Sequence, residues 1–382
     1  MNITDINVSD TPTGARLCGR VVWNNAALSP ERVEFLYEGI PAEAITGGPE
    51  ALLASMVLPA MAVGEDVRMY VPVSPRLLAG LEKIIRINAE WHHKLHAVRV
   101  RVPSREETPA TGGEVASVFS GGLDSFYTIL RARDDPITLL FTVVGFDLRF
   151  ENRAFAPSIV SRLRAAADAL GRRLVLVDSN AYEIGHKYLV HAEHHGAFLA
   201  AVALGLCGVR RCYVPSSWTL WRSLPPSGSH PATDHLWSTE RLEFVHDAAE
   251  MSRVEKGLAV GGDPILLDHL RVCVRRPDLY NCGRCAKCVA TALNLEVAGT
   301  LERCATLGPV TAGLIGRTRM GGAYDEVFRE LLLYVRDPDM RRAIERSLRR
   351  GRWYRAAEPI ADIVRRRRLR ARISRFASDV LP

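Results

Sequence analysis

One stretch constrains this chain more than any other part of it. From Gly113 to Tyr127 the order is Gly-Glu-Val-Ala-Ser-Val-Phe-Ser-Gly-Gly-Leu-Asp-Ser-Phe-Tyr: a short apolar run, a hexapeptide of small residues, then the opening of an amphipathic segment. The pattern predicts strand, loop, helix. Gly121 and Gly122 let the backbone approach a ligand and adopt angles other residues avoid, while Ser120 and Ser125 carry hydroxyl donors. The free N–H groups and the dipole of the following helix's first turn make the loop an anion cradle. A phosphate site is therefore expected over Ser120, Gly121, Gly122, Leu123, Asp124 and Ser125. No lysine follows the glycines, which separates this loop from GxxxxGK[ST]. Asp124 instead sits where a carboxylate caps the helix or holds Mg²⁺.

The hexapeptide Ser120 to Ser125 resembles the SGGxDS loop of the PP-loop ATP pyrophosphatases. That resemblance implies an enzyme that splits ATP into AMP and pyrophosphate, with ATP and Mg²⁺ as cofactors at the loop. Read without it, the same residues are a glycine turn with an ordinary Asp N-cap.

At 382 residues, 47% of them hydrophobic, the chain is long enough for two or three domains with real cores. It has no run of about 18 apolar residues, so no membrane span is expected. The opening Met-Asn-Ile-Thr-Asp lacks the basic-then-apolar pattern of a secretory signal, which makes the cytoplasm the expected location. The formal charge of +7 is unevenly spread. Between Arg341 and Arg375, fourteen arginines face Glu345, Glu358 and Asp362, a local balance of 14 − 3 = +11, leaving −4 for the remainder.

From Ala15 to about Val102, strand-like runs at Arg16 to Trp23, Val33 to Tyr37 and Val67 to Val71 mix with a helical run at Leu77 to Asn88. The strict alternation from His96 to Val102 predicts a half-buried strand. These features predict a separate N-terminal α+β domain over 1–110, with Pro103 to Gly113 as linker and a packing or partner-recognition role. After the loop, apolar runs at Ile137 to Val144, Arg173 to Asp178 and Arg211 to Pro215 alternate with helical ones at Ala154 to Leu170 and His194 to Leu206. That order predicts an α/β domain over 111–305 with a doubly wound, Rossmann-like parallel sheet. Ligands of such sheets sit beyond the carboxyl ends of the strands. Ser120, the Val144-Gly145-Phe146-Asp147 loop, Asp178 to Asn180 and Ser216-Ser217 would converge there, so Val144 joins the candidate binding residues. Beyond Thr306 a helical extension over 306–382 is expected, amphipathic at Tyr324 to Val335 and arginine-rich from Met340.

Cys273, Cys282, Cys285 and Cys288 follow the spacing Cys-x8-Cys-x2-Cys-x2-Cys. Four thiolates so close on a knuckle can complete the closed tetrahedral shell of structural zinc; an iron–sulfur cluster needs the same set and stays open. Zn²⁺ at 273–288 is read as a staple after the sheet, not as an activator of water. Cys18, Cys207, Cys212 and Cys304 are isolated and read as small apolar residues.

The knuckle Cys282-Gly283-Arg284-Cys285-Ala286-Lys287-Cys288, preceded by Ser252-Arg253-Val254-Glu255-Lys256, narrows the resemblance. Over about 114–299 the chain is similar to the 7-cyano-7-deazaguanine synthases of queuosine biosynthesis. This implies that a substrate carboxylate attacks the α-phosphate of ATP, pyrophosphate leaves, and ammonia or another nucleophile displaces AMP. Asp124, Arg253 and Lys256 are the implied catalytic residues, and a deazapurine-like carboxylate is the implied small-molecule substrate. Three departures stand out. The first hundred residues and the arginine-rich tail have no counterpart in that family, Arg253 stands where it has lysine, and the insert Trp218 to Phe244 is longer. A protein or RNA substrate and a homodimer stay open. Two other readings stand beside the synthase-like one: a tRNA-modifying PP-loop enzyme that grips RNA with the basic tail, and a nucleotide-binding partner protein without turnover.

His186, His191, His194 and His195 are read as one helix, with an i, i+4 pair at His191 and His195, and as core or surface residues before metal ligands. His230, Asp234 and Glu240 of the insert are candidates for substrate recognition.

Overall fold

The computed structural model describes residues 1–144, 156–220, 224–273, 279–321 and 323–351. Within these the chain divides into two compact units, Met1–Tyr280 and Asn281 onward.

The first unit opens with three antiparallel strands, β1 (Asn2–Thr11), β2 (Gly14–Val22) and β3 (Glu31–Glu38). Side chains of β2 and β3 alternate between buried and exposed, the period-2 pattern that puts Leu17, Val21, Val33, Phe35 and Tyr37 into the core. Helix α1 (Gly48–Val63) is buried on almost every side and packs against α6 (His191–Gly205), so it shows no amphipathic face. Strand β4 (Val67–Met69), helix α2 (Pro75–Trp91) and strand β5 (Val100–Arg101) follow. Ser74 caps α2 by accepting the Leu77 N–H at 3.0 Å.

The strand–helix alternation predicted from the apolar runs is present: β6 (Glu114–Val118), α3 (Leu123–Leu130), β7 (Leu139–Val144), α4 (Ala156–Ala169), β8 (Arg173–Ser179), α5 (Ala181–His186), α6 and β9 (Val209–Pro215). A further strand, β10 (Glu243–Asp247), was not foreseen. These strands lie parallel in the order β8-β7-β6-β9-β10, that is third, second, first, fourth, fifth. The chain reverses direction across the sheet between β6 and β9, which is the topological switch point of a doubly wound sheet.

The N-terminal strands are not a sheet of their own. β3 pairs antiparallel with β8, Phe35 opposite Ser179 and Tyr37 opposite Val177, so the ten strands form one sheet, β10-β9-β6-β7-β8-β3-β2-β1-β4-β5. The strands on either side of residue 110 therefore belong to one sheet. Of the alternating run His96 to Val102 only Val100 and Arg101 pair, because the neighbouring β4 is three residues long. The histidine run is also split: His186 ends α5 and His191 begins α6.

Helices α7 (Arg253–Val260) and α8 (Pro264–His269) complete the first unit, α7 packing on α3 and α8 on α4. In the second unit are α9 (Ala286–Val297), α10 (Ala312–Arg317), α11 (Ala323–Leu331) and a helix over 338–351. Phe328 and Leu331 of the amphipathic α11 are buried. Arg352 to Arg375, including Arg365 to Arg368, and Gly145 to Asp147 lie outside the described residues.

Candidate functional sites

The loop after β6 is shaped by its own hydrogen bonds. Gly121 takes φ +71°, a left-handed conformation that a side chain would strain, and a Cβ there would lie 2.8 Å from Leu163. The Ser120 Oγ accepts the Gly122 N–H at 3.3 Å, closing the turn. Gly122 is the N-cap of α3 and brings no side chain to cap it, so the first-turn N–H groups face the loop without a built-in carboxylate over them. Two expectations are corrected here. Asp124 is the second residue of α3 and does not cap it, and the buried Ser125 hydroxyl turns inward to donate to Gly122 O at 2.9 Å.

Asp124 is held by the opposite helix. The α7 N-terminus is set by a capping box in which Ser252 Oγ accepts the Glu255 N–H and Glu255 Oε2 accepts the Ser252 N–H. That geometry projects Arg253, whose Nη1 forms an ion pair with Asp124 Oδ2. The other oxygen, Oδ1, is buried without a hydrogen-bond partner among the described residues. One turn on, Lys256 is only 1% exposed; its Nζ donates to Ser216 O at 2.6 Å and lies 5.9 Å from the centre of the Tyr127 ring. Burial pushes the Lys256 ammonium below its ordinary value and Arg253 adds to that, while Asp124, Asp247 and Glu250 oppose it. A carboxylate, a guanidinium and an ammonium, all largely withdrawn from water, thus meet at the carboxyl ends of β6 and β9.

Of the four loops expected to converge, two keep that place. Ser120 closes the loop and Ser216 offers its carbonyl to Lys256. Val144 ends β7 beside Asp178 of β8, and the loop after it is outside the described residues. Ser179 and Asn180 serve the sheet instead: Ser179 Oγ donates to Glu34 O at 2.6 Å, and Asn180 exchanges hydrogen bonds with Glu34 N and Arg32 O. Asp234 and Glu240 of the insert also hold hydrogen bonds within the fold. Asp234 accepts from Ser229 Oγ and the His230 N–H and contacts His246 Nδ1 at 2.7 Å. Glu240 accepts from Ser74 Oγ and the Arg76 N–H, and Gly80 of α2 leaves room for the backbone at Leu236.

Arg271 escaped sequence reasoning. Its N–H donates to Gly121 O at 2.7 Å and its backbone lies along Gly121 and Gly122, so the strand of chain leading to Cys273 straps the loop. The contact is made by backbone, which leaves no side-chain pattern to find. The Ser252-x-x-Glu255 box, in contrast, was legible.

The Sγ atoms of Cys273, Cys282, Cys285 and Cys288 all lie within 4.8 Å of one another, with Cys282 and Cys288 3.9 Å apart. Thiolates at about 2.3 Å from a tetrahedral zinc stand about 3.8 Å apart, so the donor set fits such an ion. Gly283 at φ +67° turns the knuckle, and Cys285 Sγ caps α9 by accepting the Cys288 N–H at 3.5 Å. Among the described residues no other group of three or more His, Cys, Asp or Glu side chains has metal-binding geometry, the histidines of α5 and α6 included. No described helix is long and apolar enough to cross a membrane.

Comparison with protein-family models, curated proteins and solved structures gave no match.

Proposed function

We propose that this chain is an ATP-dependent enzyme of the PP-loop type that activates a substrate carboxylate as its adenylate, releasing pyrophosphate, and passes the acyl group to ammonia or another nitrogen nucleophile. The observation that carries the reading is the Ser-Gly-Gly-Leu-Asp-Ser loop at the switch point of a doubly wound sheet, with Asp124, Arg253 and Lys256 gathered beside it. Gly121, Gly122 and the first turn of α3 would hold the phosphates by backbone N–H groups. Asp124 Oδ1, buried and without a partner among the described residues, is a hard oxygen suited to Mg²⁺, which would supply neutralisation of phosphate charge.

The protein's own part is positioning and charge. Arg253 and Lys256 present fixed cations toward the loop, where developing negative charge on phosphate oxygens is stabilised in a site largely withdrawn from water. The Asp124 pair orients the guanidinium, and the Ser216 carbonyl and the Tyr127 ring orient the ammonium. Zinc at the four cysteines would be structural, since all four positions of a tetrahedral ion are taken by protein.

The test is pyrophosphate release from ATP and Mg²⁺ with 7-carboxy-7-deazaguanine and ammonia, run beside bulk tRNA. Release with the deazapurine acid is the expected result. Release only with tRNA selects the base-adenylating alternative, which the fourteen arginines between Arg341 and Arg375 favour. ATP binding without pyrophosphate release under any of these conditions overturns the enzymatic reading.

A further inference from the structure

A very short piece of chain joins the glycine loop to the cysteine cluster. Leu270 to Cys273 belongs to no helix or strand, yet none of these residues is more than 6% exposed. At one end it leaves α8, whose Leu266 and Leu267 are buried and which packs on α4. At the other end stands Cys273, one of the four thiols whose Sγ atoms lie within 4.8 Å of one another. Between the two, the Arg271 N–H donates to Gly121 O at 2.7 Å, and a Cβ on Gly122 would stand 3.6 Å from Arg271 O. Two residues of extended chain span about 7 Å, so the metal ligand and the loop contact sit on one short lever.

The Arg271 hydrogen bond sets the direction of a donor. A peptide unit is planar and trans, so its C=O and N–H point to opposite sides. With Gly121 O turned to Arg271, the Gly122 N–H of the same peptide unit faces away from the strap, where Ser120 Oγ accepts it at 3.3 Å and the first turn of α3 begins. Both residues flanking this peptide are glycines, so no Cβ resists its rotation. Released from Arg271, the unit can turn over, which withdraws the N–H and puts a carbonyl oxygen in its place. The first arrangement attracts an anion and the second repels one. Burial of Val272 keeps the strap inside but is non-directional, whereas a thiolate–zinc bond of about 2.3 Å fixes Cys273 in place.

We infer that zinc at the four cysteines governs the glycine loop. Bound metal fixes Cys273, Cys273 fixes the Arg271 N–H, and that N–H holds the Gly121–Gly122 peptide with its donor turned toward an incoming phosphate. Metal loading then acts as a switch on anion affinity, in addition to its part as a staple. The consequence for phosphate rests on the loop being an ATP site; the consequence for the peptide does not.

The experiment is hydrogen exchange of the full chain, resolved to single amides by mass spectrometry, with zinc bound, after its removal by a chelator and after reloading. MgATP is titrated in each state. Exchange at the Arg271 and Gly122 amides should rise about tenfold or more on removal and return on reloading while β7 and β8 keep their protection, and MgATP affinity should fall about tenfold. Should the chelated chain lose β7 and β8 as well, the decisive sample is a zinc-loaded variant with one glycine inserted between Val272 and Cys273. It keeps all four thiols and slackens the strap, so both amides should exchange fast with zinc still bound. Amides that stay protected in that variant, or that ignore chelation while the knuckle opens, overturn the inference. A response of both amides to zinc in a chain that binds no MgATP upholds the coupling and counts against the ATP reading alone. Equal MgATP binding with and without zinc, with both amides unmoved, does the reverse.

Discussion

The glycine loop and the cysteine knuckle are both short turns that open helices, and they are finished in opposite ways. At the knuckle every donor points to one place: four Sγ atoms within 4.8 Å of one another, with the helix cap supplied by one of them. At the loop the chain leaves its groups incomplete. The cap of α3 is a glycine, one Asp124 oxygen is buried without a partner among the described residues, and burial pushes the Lys256 ammonium below its ordinary value. A closed set of donors stabilises a fold, whereas an open set is completed only by something that arrives.

The largest effect tests the closed site. Cys285→Ser removes a thiolate and the cap of α9 at once, and structural zinc in small knuckles carries on the order of 10 kcal/mol of apparent binding free energy. Metal analysis should find zinc lost, and thermal melts should show the knuckle and α9 destabilised; a stable, metal-free, active variant would erase the contrast. Next, Asp124→Asn should lower pyrophosphate release by about 10²–10³. Because Arg253 is buried and loses its counterion, the same change should also reduce stability by about 3–5 kcal/mol in denaturant unfolding. An unchanged rate would leave Asp124 as nothing more than Arg253's partner. Arg253→Lys keeps the charge and loses the fork, so a drop of about tenfold in rate with a nearly unchanged melt would sharpen the idea that the loop reads geometry as well as charge.

The smallest effect concerns an unsatisfied group that belongs to neither site. Burial, with the neighbouring His191, His195 and His186, lowers His194 to about 3, and its Nε2 is buried without a partner among the described residues. The unfolded chain takes up a proton near pH 6.5 that the folded chain refuses until about pH 3. Stability should therefore fall as pH drops below about 6.5, by up to about 1.4 kcal/mol per unit. Denaturant titrations at pH 7.5 and 5.5 should show the loss in the parent chain and its reduction in His194→Gln; an equal loss in both removes His194 from the account.

How much of this was written in the sequence depended on where the controlling interaction lay. The parallel strands were legible because both their faces are buried, which makes Leu139–Val144 and Arg173–Ser179 near-continuous apolar runs. Helix α1 was not, since burial all round erased its period. Strand β10 hid in an insert because Glu-Phe-Val-His-Asp is short and half charged, and its pairing with β9 is a long-range fact. At the loop, the glycines and Ser252-x-x-Glu255 were local signals. The strap at Arg271, the inward turn of Ser125 and the use of Ser179, Asn180, Asp234 and Glu240 as structural ties came from backbone and tertiary contacts that no local pattern encodes.

The pairing of β3 with β8 has a consequence for synthesis. The partners are about 145 residues apart in sequence, as the hydrogen bond from Ser179 Oγ to Glu34 O records. During translation the meander β1–β3 emerges early and waits, its outer strand presenting unpaired N–H and C=O groups until β8 has been made. The nascent chain thus passes through an interval in which a bare strand edge faces solvent or a chaperone. When β8 arrives it protects two edges at once, its own and that of β3, and the parallel core and the older meander become a single folding unit.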